Sequence, residues 1–390
     1  MTLCKFSHVR ISGMSVVVPE KEINIYDEAQ YYDNSVKKID RMRKMVGFYK
    51  RRVVDNGITA GDLAIQAAEN LLQDMKIDKN SIDALVYVCQ RRDFITPAVS
   101  FYIHHKLQLP NTVAVYDIQH GCPGWMYGLW NASGLIESRA SKRILLLVAD
   151  TPSAGMDLSN RISAPVFGDG GVATLLDYSE TEIESYFDIT TESQGYEAIM
   201  TPAGGSKCPL DLRQALDSPF NKPLVTPIRT PAGHETRLVS GYMDGLAVFN
   251  FTMNEVPKSI LRVMDFAQVN ADEIPYLVLH QANKQIVQTV AGASGFSMEK
   301  APYHAFEYYG NNTMCSIPTC MSSALMDEIR NGKLTCVCSA FGNGLGIVSG
   351  VLTLDNVYMD GIKDYKMPED HMTREEYIAY WTRKLSGLSE

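Results

Sequence analysis

Cys122 is the residue in this chain best placed to act as a nucleophile. The segment VYDIQHGCPGW reads as a strand, a tight turn flanked by glycines, and then a helix. That order sets Cys122 at a helix N-terminus, where unpaired N–H groups and the helix dipole favour thiolate over thiol. Gly121 and Gly124 permit close approach of a substrate and of neighbouring elements, and Pro123 suits a first helical turn. His280 closes the apolar run YLVLH, and Asn311 lies in the turn of YYGNNTMCSIP. Taken singly, a histidine at a strand end is ordinarily a packed core residue, Gly-Asn-Asn is an ordinary turn, and Asn283 suits a helix cap. Taken together, they make a site for thioester chemistry. The thiolate attacks, the imidazole raises its fraction, and imidazole and amide hydrogen-bond the oxygen on which charge develops.

Positioning such a trio requires three strand ends to converge. The chain alternates buried β-type runs with amphipathic helices, which predicts an α/β architecture with both faces of its sheets covered. HVRISGMSVVV, ALVYVCQ, VAVYDIQ, RILLLVAD and VATLLDY read as strands. Thr59 reads as the N-cap of a helix over 60–74, and further helices are expected in VSFYIHHKL and GWMYGLWNASGLIES. The second half repeats this grammar: a helix over about 254–269, the strand YLVLH, a helix in QIVQTVAGAS, one helix from SIPTCM to Gly332, and the strands TCVCSAF and GIVSGVLTL. Two halves of similar order, about 1–180 and 181–358, suggest an internal structural duplication. A proline-rich excursion over about 200–242 and a polar tail over 359–390 stand outside that pattern. Tyr377, Tyr380 and Trp381, at helical spacing in the tail, are expected to pack on the body.

Bulk properties narrow the function. A formal net charge of −9 disfavours sequence-independent nucleic-acid binding. The eight cysteines form no CxxC pair, so no zinc site and no cofactor are expected. The N-terminal segment lacks the pattern of a signal peptide, and the longest apolar run, residues 144–149, is far too short to cross a bilayer, so a soluble cytoplasmic protein is expected.

The motifs, in order, make the sequence similar to the ketoacyl-acyl-carrier-protein synthase III family. Its D-x-x-x-x-C-x-G-[FW] elbow is matched by Asp117, Cys122, Gly124 and Trp125, and its HQAN motif by His280 to Asn283. Its GN turn is matched at Asn311, its FGDG segment at Phe167 to Gly170, and its closing glycine loop by FGNGLG, Phe341 to Gly346. Pro19 and the G-x-x-x-R pair Gly47 and Arg51 also fit, and the resemblance runs over about residues 8–355. It implies a thiolase fold, a layered α-β-α-β-α body that forms homodimers. It further implies an acyl-cysteine at Cys122 and Claisen condensation with a malonyl-carrier-protein extender. His280 and Asn311 would steady the enolate, and the backbone N–H groups of Cys122 and Asn343 would form the oxyanion hole. The partners implied are an acyl-CoA or acyl-carrier-protein thioester and the carrier protein itself.

Departures from the family shape further expectations. Asn343 replaces a family glycine, and Asn tolerates the left-handed backbone better than most side chains. Arg41 stands where acyl-CoA-loading members carry a tryptophan, and Arg161 matches a family arginine near the nucleotide end. Asn283 is placed with these as substrate-binding. Lys284, with Lys258 and Arg262 on the preceding helix, is the candidate carrier-docking set. Thr96, before Pro97, replaces an aromatic residue that short-chain members place into the partner's acyl pocket, so a longer or bulkier acyl group is expected. With the excursion and the tail, this suggests a specialised member rather than a housekeeping initiator. Acyl transfer to an oxygen, nitrogen or thiol acceptor uses the same residues and stays open, as does a non-catalytic partner subunit. A cysteine hydrolase fits Cys–His–Asn but not the surrounding motifs.

Overall fold

Two sheets, each threaded from both halves of the chain, carry the body. The computed structural model describes residues 2–55, 57–156, 164–230 and 235–387. One sheet has six strands in the order Tyr358–Asp364, Val9–Val18, Gly170–Tyr178, Arg143–Asp150, Ala84–Cys89 and Ala114–Gln119. The other has five: Thr2–Phe6, Ser185–Thr191, Gly346–Asp355, Lys333–Gly342 and Tyr276–Leu279.

The duplication expected from the sequence shows in the pairing. Val9–Val18 and Gly170–Tyr178 are antiparallel, as are Gly170–Tyr178 and Arg143–Asp150, while Arg143–Asp150 and Ala84–Cys89 are parallel. The second sheet repeats antiparallel, antiparallel, parallel through Ser185–Thr191, Gly346–Asp355, Lys333–Gly342 and Tyr276–Leu279.

Side-chain alternation sorts the central strands between two cores. Val86, Val88, Leu146 and Val148 face the helices between the sheets, while Leu85, Tyr87, Leu145 and Leu147 face an outer helix layer. Strands covered on both sides read as unbroken apolar runs, and all six residues of Ala84–Cys89 are buried. The middle layer holds Gly124–Glu137 and Ser316–Ala324, whose Trp125, Leu129, Ile317 and Met321 join side chains from both sheets. Ala60–Asp74 covers the outside of one sheet and Gly245–Phe266 the outside of the other. The result is the five-layer thiolase arrangement.

Local signals account for most element ends. Thr59 caps Ala60–Asp74 reciprocally: its hydroxyl accepts from the Asp62 N–H at 3.2 Å, and Asp62 accepts the Thr59 N–H at 2.9 Å. Three expectations change. The helix placed at 254–269 begins nine residues earlier, at Gly245, because Asp244 accepts the N–H groups of Leu246 and Ala247. The single helix expected to run to Gly332 is two, Ser316–Ala324 and Met326–Arg330, broken at Leu325 (φ −129°, ψ 12°). The tail contributes the edge strand Tyr358–Asp364 and a helix, Arg374–Leu385, that has no buried residue. Its aromatics pack on one another, Trp381 lying 6.3 Å from Tyr377 and 5.6 Å from Tyr380, instead of on the body.

The excursion over 200–242 carries two-residue strand pairs and the short helix Lys222–Val225 among its described residues. One stretch is organised by Asn221, which is buried. Its amide donates to the carbonyls of Asp211, Gln214 and Ala215 and accepts the Asp211 N–H.

Candidate active site

Cys122 follows the edge strand Ala114–Gln119 and precedes Gly124–Glu137, with Pro123 at the helix cap. The elbow is tight: the Gly124 N–H donates to the Gly121 carbonyl at 2.7 Å. The far wall is the end of Lys333–Gly342. A methyl group on Gly342 would stand 2.8 Å from the Cys122 Cβ and 3.2 Å from its Sγ, so only glycine lets this strand end lie against the thiol. Phe341, one residue back, meets the His280 ring edge-on at 5.5 Å. Consecutive residues of one strand thus touch the cysteine and the histidine.

His280 extends Tyr276–Leu279, its N–H donating to the Ser339 carbonyl at 2.9 Å. It is 2% exposed. Its Nδ1 is 2.7 Å from the Ser316 hydroxyl, which fixes the ring plane. Burial pushes the imidazole down to about 4, partly offset by the Thr313 backbone, so the ring is neutral at pH 7.

Asn311 is held on both sides. Its N–H donates to the Val166 carbonyl at 2.7 Å, and its carbonyl accepts the Gly168 N–H at 3.1 Å. Its Oδ1 accepts the Thr313 N–H at 3.0 Å, which leaves the amide NH2 as the free end that can donate to a ligand. Thr313 adopts φ +51°, a costly conformation for a β-branched residue, and its backbone reaches the His280 ring. Met314, next in the turn, packs against Gly124 of the cysteine helix, where an added methyl would lie 3.2 Å from the Met314 Cβ. The turn after Asn311 therefore bridges the histidine and the cysteine helix.

The FGDG segment clamps this turn. A methyl on Gly168 would fall 2.0 Å from the Tyr309 carbonyl oxygen, and Asp169, buried, accepts the N–H groups of Val54 (2.7 Å) and Ser153 (3.0 Å). Gly168→Ala is expected to displace the turn. Turnover should fall at least about tenfold while the protein still folds, with a lower melting temperature that reflects the ~1–3 kcal/mol loss of stability typical of overpacking. Wild-type turnover would show that the clamp does not position Asn311.

The charge on Cys122 runs against the expectation from its place at a helix start. The residue keeps some solvent-facing surface, yet protein packs around it densely, and that packing decides its charge. Burial pushes the thiol up to about 12, the Asp150 carboxylate adds to the rise, and the cysteine's own backbone N–H opposes it. Cys122 also precedes the cap residue, one step outside the helix.

The remaining sequence-based sites fare variously. Asn343 does not adopt a positive φ; the left-handed residue of the loop is Gly344, at φ +134°. The Asn343 side chain lies across Gly121, its Oδ1 buried without a hydrogen bond. Asn283 serves as the cap of Lys284–Ala293, its Oδ1 accepting the Ile286 N–H at 2.8 Å. Arg262 is turned inward to Asp188 (2.7 Å) and Thr190 (2.8 Å), whereas Lys258 is exposed and pairs with Glu255 at the surface. Lys284 lies beside a cleft of about 300 Å³ lined also by Asp40, Arg43, Lys44, Tyr303 and Glu307. Arg41 is exposed on the neighbouring helix Val36–Val46. Thr96 is exposed, in a loop pinned by Asp93 at the start of Ala60–Asp74 and by Asp117, which accepts the N–H groups of Val99 and Ser100. Arg161 lies outside the described residues.

Sequence reasoning passed over Ser316, Thr313 and His120. His120, two residues before the cysteine, stacks on Tyr127 at 4.1 Å and accepts the Gly121 N–H through Nδ1. Its position beside the elbow was its one visible signal. Among the described residues, no group of His, Cys, Asp and Glu side chains is arranged to hold a metal ion, and no helix is long and apolar enough to cross a membrane.

The family models for 3-oxoacyl-[acyl-carrier-protein] synthase III match residues 116–195, and the model for its C-terminal part matches 264–354. A Campylobacter jejuni protein named as a 3-oxoacyl-[acyl-carrier-protein] synthase 3 is 33% identical over 93% of this chain and 98% of its own. The chain belongs to the 3-oxoacyl-acyl-carrier-protein synthase III family. A Streptococcus sanguinis synthase III is 28% identical over 87% of this chain and 97% of its own. The solved 3-oxoacyl-(acyl-carrier protein) synthase of Burkholderia xenovorans LB400 superposes with a TM-score of 0.84 at 29% identity, covering 93% of this chain and 99% of that one. The family is one of acyltransferases, and its thiolase fold is the five-layer body described above.

Proposed function

We propose that this member of the synthase III family takes an acyl group from a thioester onto Cys122 and condenses it with a malonyl-carrier-protein extender, giving a 3-oxoacyl product. The observation that carries the reading is that Gly342 lies against Cys122 and Phe341 against His280, while the turn after Asn311 reaches both the His280 ring and the cysteine helix at Gly124.

Each step follows from a group in place. The Cys122 sulfur attacks the thioester carbonyl, the donor thiol departs with the proton, and the backbone N–H groups of Cys122 and Asn343 receive the transient oxyanion. The malonyl thioester then loses carbon dioxide. Neutral His280 and the Asn311 amide stabilise the enolate oxygen by hydrogen bonds, and the carbanion attacks the acyl carbonyl. The C–S bond breaks, returning the cysteine. A protonated imidazole would carry a buried charge that the site does not otherwise balance, so the neutral ring suits this role.

Small Thr96 leaves room for an acyl chain longer or bulkier than acetyl, which fits a specialised synthase. The cleft beside Lys284 is the best candidate for carrier docking, in the cytoplasm. The open edge of Ala114–Gln119, with Ile95 (88%) and Phe101 (57%) exposed nearby, supports a homodimer formed across that edge.

The test is intact-protein mass after incubation with acyl-CoAs and acyl-carrier proteins of graded chain length, beside Cys122→Ala. An acyl-sized gain absent from the variant, then discharged with carbon dioxide release on adding malonyl-carrier protein, is expected. The native mass of the same sample should be that of a dimer. A folded wild-type protein that gains no acyl mass from any donor overturns the reading.

A further inference from the structure

The two side-chain donors assigned to the enolate owe their orientation to one short turn. Residues 311–316 run from the asparagine through Thr313–Cys315 into the first residue of Ser316–Ala324. The Thr313 N–H, donating to the Asn311 Oδ1 at 3.0 Å, leaves the NH2 end of that amide free. Three residues on, the Ser316 hydroxyl lies 2.7 Å from the His280 Nδ1. Ser316 is 1% exposed, so its hydroxyl must find its partner inside the protein.

Counting protons gives this contact a direction. A serine hydroxyl has one proton, and a neutral imidazole has one ring proton, on either nitrogen. His280 is buried without a carboxylate partner among the described residues, and its ring is neutral at pH 7. If Nδ1 carried the proton, the ring would donate to Ser316, and the hydroxyl proton would need an acceptor of its own. Among the described residues the hydroxyl has no second hydrogen-bond partner, and the Thr313 carbonyl of the same turn accepts the Ser316 N–H. If the hydroxyl donates to Nδ1, its proton is used and no buried donor is stranded. The ring proton then sits on Nε2, which makes no hydrogen bond to a described residue and is left for a ligand. The hydroxyl is also firmly seated. Cys315, just before it, donates its thiol to the Gly170 carbonyl at 3.3 Å and lies 3.5 Å from that of Val148, and Ile317, just after it, is buried between the sheets.

We propose that Ser316 is a positioning residue that sets the tautomer of His280: its hydroxyl donates to Nδ1, the ring proton is held on Nε2, and the imidazole meets the enolate oxygen as a donor. In the other tautomer Nε2 would turn a lone pair toward the developing negative charge and oppose it. The proposal rests on the reading of His280 as the partner of that oxygen, but the tautomer belongs to the free protein and is read without substrate. One turn thus fixes the polarity of both donors, Asn311 through a backbone N–H and His280 through a hydroxyl.

The experiment records long-range proton–nitrogen correlations of the full-length protein labelled with nitrogen-15 histidine at pH 7, with His280→Asn assigning the ring signals by their loss. Wild type is expected to show a proton on Nε2 and, on Nδ1, a lone pair that accepts a hydrogen bond. In Ser316→Ala the Nδ1 resonance should move to that of a bare lone pair, and Ser316→Thr, which keeps a hydroxyl, should restore it. The ratio of malonyl decarboxylation to Cys122 acylation should fall about tenfold in Ser316→Ala, the order of one hydrogen bond, and recover in Ser316→Thr. A wild-type ring with its proton on Nδ1 overturns the proposal even if neither variant folds. So does an Nδ1 resonance that Ser316→Ala leaves in place. A moved Nδ1 resonance with decarboxylation unchanged would instead overturn the enolate role of His280 and leave its tautomer assigned to Ser316.

Discussion

His280→Ala is expected to uncouple the two halves of the reaction. The variant should still gain acyl mass at Cys122, because the oxyanion donors of that step are backbone N–H groups. Decarboxylation of the malonyl thioester should fall by about 10²–10³-fold, the usual cost of removing one preorganised donor to a developing oxyanion. Carbon dioxide release from malonyl-carrier protein, measured with and without an acyl primer, reads this directly. Equal loss of acylation and decarboxylation would assign His280 to activation of the thiol instead. The pH dependence provides a second check. With the ring pushed down to about 4, the rate of decarboxylation should show no limb near 6.5 that disappears with His280. Stability carries the same signature. The unfolded imidazole binds its proton near 6.5 and the folded one near 4, so acidification through that window favours the unfolded chain, by about 3 kcal/mol once pH is below both values. His280→Asn removes that contribution, and its melting temperature should fall less than wild type between pH 7 and 4.

The second large effect lies away from the thiol. Arg51, 2% exposed, grips Glu28 through both terminal guanidinium nitrogens at 2.6 Å and donates to the Pro165 carbonyl at 3.1 Å. Its Cβ also backs Gly310, at which an added methyl would lie 3.1 Å away. Arg51→Ala strands the Glu28 carboxylate in a buried site. It should cost about 3–5 kcal/mol, a fall in melting temperature of order 5 °C or more. Arg51→Met combined with Glu28→Leu removes both charges, and most of the loss should return. A double variant as unstable as the single one would show that the geometry of the pair, rather than its uncompensated charge, matters. Turnover should stay low in both, because each loses the hydrogen bond to the Pro165 carbonyl, next to the Val166 carbonyl that accepts the Asn311 N–H.

The site was legible in the sequence where chemistry imposes a local backbone form. The Cys122 elbow is a glycine-flanked strand-to-helix turn, His280 ends an apolar run, and Asn311 sits in a polar turn; each mark lies within a few residues of the functional atom. The charge states were not legible, because they depend on what packs around a group. The helix start at Cys122 argued for an easily ionised thiol, but Gly342 and the strand behind it bury the sulfur. Asn343 was read as able to tolerate the left-handed backbone, and the neighbouring Gly344 is the residue that takes it. Arg262 looked like one more base on a helix face until the fold brought Asp188 beneath it. For Cys122 and Arg262 the deciding partner is distant in sequence. Asp117 is the contrary lesson. It fitted a motif without a stated role, and its role is to hold the first N–H groups of Val99–Lys106 and so to anchor the loop that carries Thr96.

The crossed placement of the two terminal strands bears on how the protein is made. Thr2–Phe6 pairs with Ser185–Thr191 in the later sheet, and Tyr358–Asp364 pairs with Val9–Val18 in the earlier one. During synthesis Thr2–Phe6 waits for more than 180 residues before its partner exists. The earlier sheet keeps the Val9–Val18 edge open until residue 364 has left the ribosome. Pairings that span so much of the chain carry a high entropic cost and form slowly. Neither half is therefore a separable folding unit, and a nascent chain stalled before Tyr358 exposes an apolar strand edge, the feature that holdase chaperones and aggregation compete for.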